Sequence, residues 1–162
     1  MSFTTEVKEE LSHVEPTCSH CDAATLAALI RIEGTIFLNG PGHFRLEIST
    51  DVPQVARFII SALHSMYSLK TDLTMRRSVL HKTPNWLIDV PAQPGLNEAL
   101  SELGIVGESG LQRGIDHDLI KKECCASAYL RGVFLGSGFI SNPRGDSSFL
   151  LSRRPWLTTL SS

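Results

Sequence analysis

Two stretches of this chain share one outline, and this repeat limits what the chain can fold into. "LAALIRIEG" ends at Gly34 and "LRGVFLGSG" ends at Gly138, so the copies lie 104 positions apart (138 minus 34). Both are apolar with small residues at steps of four, which predicts two buried helices with smooth faces that can approach closely. The positions that define the outline are Leu26, Ala28 and Gly34 in the first copy and Leu130, Gly132 and Gly138 in the second.

The likeness extends beyond the two stretches, and one match fails. Under the same offset Cys21 matches Cys125, and the turn-forming strings "NGPG" and "NPRGD" follow the two copies. Just before the final glycine, however, the first copy has Glu33 and the second has Ser137. We therefore interpret the chain as a duplication whose copies differ at an acidic position.

The remaining residues predict alternating helices and hairpins. Capping residues, turn residues and apolar periodicity locate the elements. They are a helix over Ser2–His13 capped by Ser2 or Thr4, a helix over Asp22–Glu33, a hairpin turning at Asn39–Gly42, a helix capped by Asp51, a hairpin over Asp72–Leu80 and Trp86–Val90 turning through "HKTPN", and a short helix between Pro94 and Gly104. This order predicts an α+β fold, in which helices pack on one face of a four-stranded antiparallel sheet.

Composition excludes some classes of protein. The chain has 162 residues, 42% hydrophobic and 20% charged, which is the size and balance of one globular domain. A net charge of -2 gives no electrostatic argument for nucleic-acid binding by the whole surface. There is no apolar run of about 20 residues and no signal-peptide pattern, so we expect a cytoplasmic protein without membrane contact.

Four cysteines raise the question of a metal. Cys18, Cys21, Cys124 and Cys125 offer the right number of ligands for structural zinc. Against zinc, adjacent cysteines chelate one ion poorly, and Cys21 matches Cys125 under the repeat, as packing positions of equivalent helices would. We favour packing, and predict no metal and no cofactor.

Other catalytic patterns are lacking, and two basic pairs stand out. No Gly-x-Ser-x-Gly elbow and no phosphate-binding glycine loop is present. The basic pairs are Arg76-Arg77, on a predicted strand, and Arg153-Arg154 near the end of the sequence. A solvated surface is the usual reason for such pairs.

The two repeated stretches resemble the LAGLIDADG motifs of homing endonucleases, whose paired helices carry a saddle of strands on DNA. More narrowly, "SFTTEVKEELSH", "AATLAALIRIEGTIFL" and "AYLRGVFLGSGFISNPRG" resemble the WhiA family of bacterial cell-division and sporulation regulators. The resemblance covers about residues 2 to 147. It implies a nuclease-like N-terminal domain without nuclease activity, joined in the family to a C-terminal helix-turn-helix domain that binds DNA.

The resemblance also gives the acidic position a meaning. In active LAGLIDADG nucleases an acid at the base of each helix helps to hold a divalent metal that activates water and stabilises the leaving oxygen. Glu33 matches the first acid, but Ser137 is a weak ligand for a hard cation. We therefore expect no enzyme and no catalytic residue; the alternative is a degenerate endonuclease, or one that pairs Glu33 from two chains. In a saddle fold Arg76 and Arg77 become candidates for DNA contact.

The end of the chain departs from the family. Only 24 residues (162 minus 138) follow Gly138, so we expect an incomplete second repeat. The predicted units are an N-terminal helix (1–16), a first repeat (17–110), the start of a second (111–147) and an atypical tail (148–162), without a helix-turn-helix domain. DNA, and a nucleoid location, would then belong to the full-length family member and are doubtful for this fragment, which we expect to be marginally stable or to self-associate.

Overall fold

The computed structural model describes residues 2–40, 42–77, 79, 84–108, 110–141 and 149–151, the last three as backbone. Its helices are α1 (Phe3–Ser12), α2 (Cys21–Glu33), α3 (Pro53–Tyr67), α4 (Leu96–Glu102) and α5 (Glu123–Ser137), with a 3-10 turn at His117–Ile120 before α5. The strands are β1 (Gly34–Leu38), β2 (Phe44–Thr50), β3 (Asp72–Arg76), β4 (Asn85–Val90), β5 (Val106–Gly107), β6 (Gly110–Leu111), β7 (Gly138–Ile140) and β8 (Phe149–Leu151).

The first four strands form one antiparallel sheet in the order β1-β2-β4-β3. Along β2, Phe44, Leu46 and Ile48 are buried whereas the alternating Arg45 and Glu47 are partly exposed, because successive side chains of a strand point to opposite faces. Helices α2 and α3 cover the buried face. The predicted α+β fold, with helices on one face of the sheet, is confirmed.

The centre of the core is the pair of helices that carry the repeat. Nine of the 13 residues of α2 are buried, as the apolar sequence all round the helix predicts. The partner is α5, and the contact is close: the Thr25 hydroxyl donates to the Ala128 carbonyl at 3.0 Å. A Cβ added to Gly132 would lie 2.5 Å from the Thr25 carbonyl oxygen. The small residues are therefore needed for backbone approach.

Both repeat helices run directly into a strand at a glycine. Gly34 and Gly138 have extended backbone (φ -85 and -74), so they are not the left-handed caps that a glycine after a helix usually provides. Glycine is needed there for space instead. A Cβ at Gly34 would overlap the Ile30 carbonyl oxygen, and one at Gly138 would overlap the Phe134 ring.

Two predicted boundaries in the first repeat are wrong. Asp51 does not cap α3: Val52 holds the N-cap position, and its backbone N–H donates to the Thr50 hydroxyl at 3.2 Å. Strand β3 ends at Arg76 rather than at Leu80. Residues 41, 78 and 80–83, which include Pro41 and most of the predicted "HKTPN" turn, lie outside the described residues. By contrast, Ser2 caps α1 as predicted, accepting from the Thr5 N–H at 3.2 Å.

The second repeat continues further than the sequence suggested. The predicted atypical tail begins at 148, yet Phe149–Leu151 forms β8 and pairs with β7. The pairing of Gly34 with Ile48 recurs as Gly138 with Leu151, with one residue fewer between the partners. This part of the tail therefore belongs to the fold. The NPRGD turn, Arg153, Arg154 and Trp156 lie outside the described residues.

The edge of β7 is not left bare. The Thr4 hydroxyl donates to the Ile140 carbonyl at 2.8 Å and lies 3.1 Å from the Ile140 backbone nitrogen. Helix α1 thereby satisfies two backbone groups that an edge strand would otherwise present to solvent or to another chain. The N-terminal helix is thus tied to the second repeat, although it precedes the first in sequence.

Candidate functional site at the ends of the paired helices

Residues that are equivalent under the repeat meet each other along the α2–α5 contact. Ala28 contacts Gly132 at its middle, Cys21 and Cys125 lie close together at the N-terminal ends, and Glu33 and Ser137 share a pocket at the C-terminal ends. Such self-matching pairs define a pseudo-twofold axis that runs between the helices. The two ends of this axis are the places where a site built by both repeats can form.

The C-terminal end of the axis opens into a pocket of about 260 Å³. The structure brings together the two positions that the sequence singled out, because Glu33 and Ser137 both line it. The complete lining is Lys8, Glu33, Ser49, Thr50, Asp51, Asn85, Gly136, Ser137 and Gly138. The Ser137 hydroxyl donates back to the Val133 carbonyl at 3.2 Å, as serines near helix ends often do. It is therefore already hydrogen-bonded within its own helix.

Two charged residues of this pocket were not identified as site residues from the sequence. Asp51, which was expected to cap α3, lies on the wall and adds a second carboxylate beside Glu33. Lys8 of α1 is 93% buried at the same place, since only 7% of its surface is exposed. No signal in the sequence pointed to it, because the contact of Thr4, four residues earlier on the same helix face, with the second repeat is seen only in the folded chain.

The ammonium group of Lys8 changes the electrostatics of the pocket. Burial lowers the pKa of Lys8 below its ordinary value of 10.5, while the charges of Asp51 and Glu33 act in the opposite direction and favour the ammonium form. An ammonium beside two carboxylates offsets one of their charges and repels a divalent cation at short range. The pocket is therefore a cluster of charged side chains that includes the Lys8 ammonium, rather than a metal site lined by carboxylates alone.

The predicted DNA-contact residue Arg76 lies on the outer face of the sheet, and this face reaches the rim of the pocket at Ser49 and Asn85. Strand pairing aligns Arg76 with Asn85 on this face, and the exposed Arg77 follows the strand. The strand charges of this face are Arg45, Arg76, Glu47, Asp72 and Asp89. Arg45 donates to Asp89 at 2.9 Å and to Glu47 at 2.6 Å, so its charge is already matched. Among the described strands the outer face is therefore not basic.

The N-terminal end of the axis holds all four cysteines. Their sulfur atoms lie within 4.8 Å of one another. The Cys18 sulfur is 3.4 Å from that of Cys21 and 3.5 Å from those of Cys124 and Cys125. Cys21 and Cys125 are buried, which fits the predicted packing role, but the convergence of all four thiols was not predicted.

The thiols of this cluster differ in acidity. Hydrogen bonding to the backbone of His20, and then to Cys21, lowers the pKa of Cys18 to about 6. Burial raises the pKa of Cys125 to about 12. The same cluster thus contains one thiol that ionises readily and one that resists ionisation while both are free.

Two copies of a buried, small-residue helix, each running into an antiparallel strand pair, define a LAGLIDADG-like domain. Solved structures show the same fold. The N-terminal LAGLIDADG domain of WhiA superposes with a TM-score of 0.63 and 18% identity over 91% of this chain and 64% of that one. Full-length WhiA from Thermatoga maritima gives a TM-score of 0.62 at 17% identity, over 89% of this chain and 42% of that one.

The sequence identifies the family within this class. A model of the WhiA N-terminal LAGLIDADG-like domain matches residues 19–106, and one of the WhiA LAGLIDADG-like domain matches residues 126–152. Proteins named probable cell division protein WhiA are 40% identical in Desulforamulus reducens and 36% identical in Heliobacterium modesticaldum, each over 90% of this chain and 46% of the relative. The chain belongs to the WhiA family, and it spans about half the length of these relatives.

No helix within the described part of the chain is both long enough and apolar enough to cross a lipid bilayer.

Proposed function

We propose that this chain is a non-catalytic, LAGLIDADG-like module of a WhiA-type regulator of bacterial cell division. The observation that carries the proposal is the pocket at the C-terminal ends of the paired helices. There Glu33 faces Ser137 instead of a second acid, and the buried Lys8 lies beside it.

Metal-dependent cleavage of a phosphodiester needs a cation held where it can activate water and stabilise the leaving oxygen. Magnesium is held mainly by carboxylates and keeps several waters in an octahedral shell. In this pocket the Lys8 ammonium offsets one of the two carboxylate charges, and Ser137 adds only a neutral hydroxyl that is bonded to Val133. The pocket then serves to hold α1 on the paired helices rather than to perform chemistry.

The regulatory half of the proposal rests on family membership. DNA binding, transcription regulation, a part in sporulation and a cytoplasmic, nucleoid-associated location are proposed for the longer protein. The outer face of the sheet has two arginines against three carboxylates on its strands, and Arg45 is paired with two of them. DNA would therefore be bound chiefly by the helix-turn-helix domain that the family resemblance implies, with Arg76 and Arg77 as secondary contacts.

A second candidate function, a degenerate endonuclease, is favoured by one observation. Asp51 lines the same pocket as Glu33, so two carboxylates are available within a single chain. If Lys8 moved out, these two groups could bind a divalent cation.

The test is cleavage of supercoiled plasmid DNA with magnesium or manganese. We expect no metal-dependent nicking by the chain, and no difference between it and Glu33→Ala or Asp51→Ala. Asp72→Asn, which removes an exposed carboxylate from the sheet, is the matched control. Nicking that needs the metal, is lost in Glu33→Ala and persists in Asp72→Asn would establish the endonuclease function instead.

A further inference from the structure

We propose that Cys18, Cys21, Cys124 and Cys125 form a tetrahedral zinc site that fastens the two repeats together. This cluster lies at the opposite end of the paired helices from the Glu33 pocket. Helix α5, which runs between the two places, has 15 residues and is about 22 Å long. The two sites are therefore well separated, and the zinc proposal does not depend on the proposed function.

The distances fit zinc closely. A zinc–thiolate bond is about 2.3 Å, so the sulfurs of a tetrahedral site lie about 3.8 Å apart. The Cys18 sulfur is 3.4 to 3.5 Å from the other three, and no pair of the four exceeds 4.8 Å. Small side-chain rotations are enough to convert this arrangement into an S₄ site.

The adjacent pair Cys124–Cys125 is the feature that weakened the case for zinc in the sequence. The structure removes the difficulty, because Cys18 comes from the segment before α2 and its sulfur lies 3.5 Å from both of them. The two neighbours are therefore not required to chelate alone. Two ligands come from each side of the α2–α5 contact.

The local backbone also favours thiolates at this place. Cys21 is the first residue of α2, and Cys124 and Cys125 lie in the first turn of α5. The partial positive charge of each helix N-terminus stabilises an anion there. On binding, the thiols lose their protons to solvent and the sulfur lone pairs form the four bonds to zinc, without any change of oxidation state.

A site of four thiolates points to zinc or to an iron–sulfur centre. Mutual sulfur distances below 4.8 Å leave room for a single ion, because a cluster of several irons and sulfides would hold its cysteines further apart. Packing alone explains the cluster less well. Cys18 and Cys124 are only partly buried, and each sulfur of the cluster has other sulfurs as neighbours where a core would normally place carbon.

The first measurement is the metal content of the whole 162-residue chain. The chain is purified anaerobically with a reductant, mixed with zinc, desalted and analysed by mass spectrometry of the metal. We expect about one zinc per chain, the stoichiometry of a single four-ligand site. A reduced chain that retains no zinc, or that instead holds iron with sulfide, would overturn the proposal.

Cobalt reports the ligands directly and does not depend on a variant that folds. Cobalt added to the reduced chain should give the strong visible bands of tetrahedral coordination and a near-ultraviolet thiolate charge-transfer band, and zinc should abolish both. Weak octahedral bands without charge transfer would contradict a thiolate site.

Variants then assign the residues. Cys18→Ser should lose the bound zinc, whereas His20→Ala is the matched control. It removes the nearby imidazole, which is exposed, and keeps the backbone near Cys18. Undiminished zinc in a Cys18→Ser, Cys125→Ser double variant would place the metal elsewhere and overturn the assignment.

Discussion

Ala28 and Gly132 are equivalent under the 104-residue repeat (132 minus 28), and they touch: a Cβ added to Gly132 would lie 2.8 Å from the Ala28 Cβ. Equivalent residues that meet must lie on the symmetry axis that relates the copies. The same axis passes between Cys21 and Cys125 at one end and between Glu33 and Ser137 at the other. The internal repeat therefore explains why both candidate sites lie at the ends of one helix pair.

Gly132→Ala should destabilise the chain. Alanine is better than glycine in a helix by about 1 kcal/mol, but the new methyl would lie 2.5 Å from the Thr25 carbonyl oxygen, which is backbone and cannot easily move. Overpacking of this kind costs about 1–3 kcal/mol, and we expect a net loss in the free energy of unfolding in urea.

Gly136→Ala is the matched control in the same helix. Its added Cβ would meet side-chain atoms alone, of Ile32 at 3.0 Å and of Glu33 at 3.4 Å, and these can shift. A Gly132→Ala variant as stable as Gly136→Ala would contradict the close approach of the helices.

The outer face of the sheet should bind DNA better once Arg45 is released. Glu47→Gln with Asp89→Asn removes both partners of Arg45 and two negative charges from the face. We expect affinity for a short duplex at low salt to rise on the order of tenfold, with a steeper salt dependence, as measured by fluorescence anisotropy. The control, Glu98→Gln with Glu108→Gln, changes the net charge equally at exposed positions elsewhere. An equal rise in DNA affinity in that control would show that the outer face of the sheet is not where DNA binds.

Tyrosine ionisation offers a pH test of the core. The chain has two tyrosines. Burial, with a contribution from Glu102, raises the pKa of Tyr67 to about 12. Burial also raises the pKa of Tyr129, although the nearby Arg31 acts in the opposite direction. The folded chain should therefore show little tyrosinate absorbance at pH 10, where the unfolded chain is half ionised.

The stability that Tyr67 contributes has a defined pH window. Because its folded pKa lies above the unfolded value of 10.0, this contribution is complete below pH 10 and is lost as the pH rises towards 12. Tyr67→Phe should remove the step near pH 12 from the absorbance titration. A full equivalent of tyrosinate at pH 10, in a chain that circular dichroism shows to be folded, would rule out the buried environment.

Leu130 differs from its repeat equivalent and should promote self-association. Leu26 is completely buried, whereas Leu130 is 67% exposed on α5. Exposed apolar side chains of this size favour contact between molecules. We expect concentration-dependent sedimentation that Leu130→Lys weakens, while Leu111→Lys, at a leucine 58% exposed on another element, does not. Sedimentation as a monomer at all concentrations would exclude this contact.

Local patterns in the sequence were enough for the fold but not for the sites. The alternation of Phe44, Leu46 and Ile48 and the small residues of the repeat reflect backbone periodicity, so strands and paired helices could be predicted. Glu33 and Ser137 were found together because the repeat itself relates them.

Neither local sequence patterns nor the repeat could predict the position of Lys8 or the cysteine cluster. Lys8 reaches the pocket because α1 packs against the second repeat, through Thr4 and Ile140, 136 positions away. Cys18 has no partner under the repeat, so only the folded chain shows that it joins Cys21 to Cys124 and Cys125. The Asp51 capping pattern was misleading because the helix begins one residue later, with Val52 as the N-cap residue and no side-chain cap.

Lys8→Met should convert the pocket into a weak cation site. Methionine has a similar length and no charge, so it removes the desolvation cost and leaves Glu33 and Asp51 without their cation. We expect manganese binding in this variant, lost again when Glu33→Ala is added. Absence of binding in Lys8→Met would show that the lysine is not what excludes the metal.

The most direct measurement is manganese binding by the unaltered chain, followed through the electron paramagnetic resonance signal of the free ion. Manganese prefers oxygen ligands, so the thiol cluster does not obscure the result. Because Lys8 offsets one carboxylate charge and occupies the pocket, and Ser137 replaces an acid, we expect the free-ion signal to remain undiminished as the chain is added. Saturable loss of that signal, abolished by Glu33→Ala, would contradict the non-catalytic assignment and place a metal centre between the two repeats.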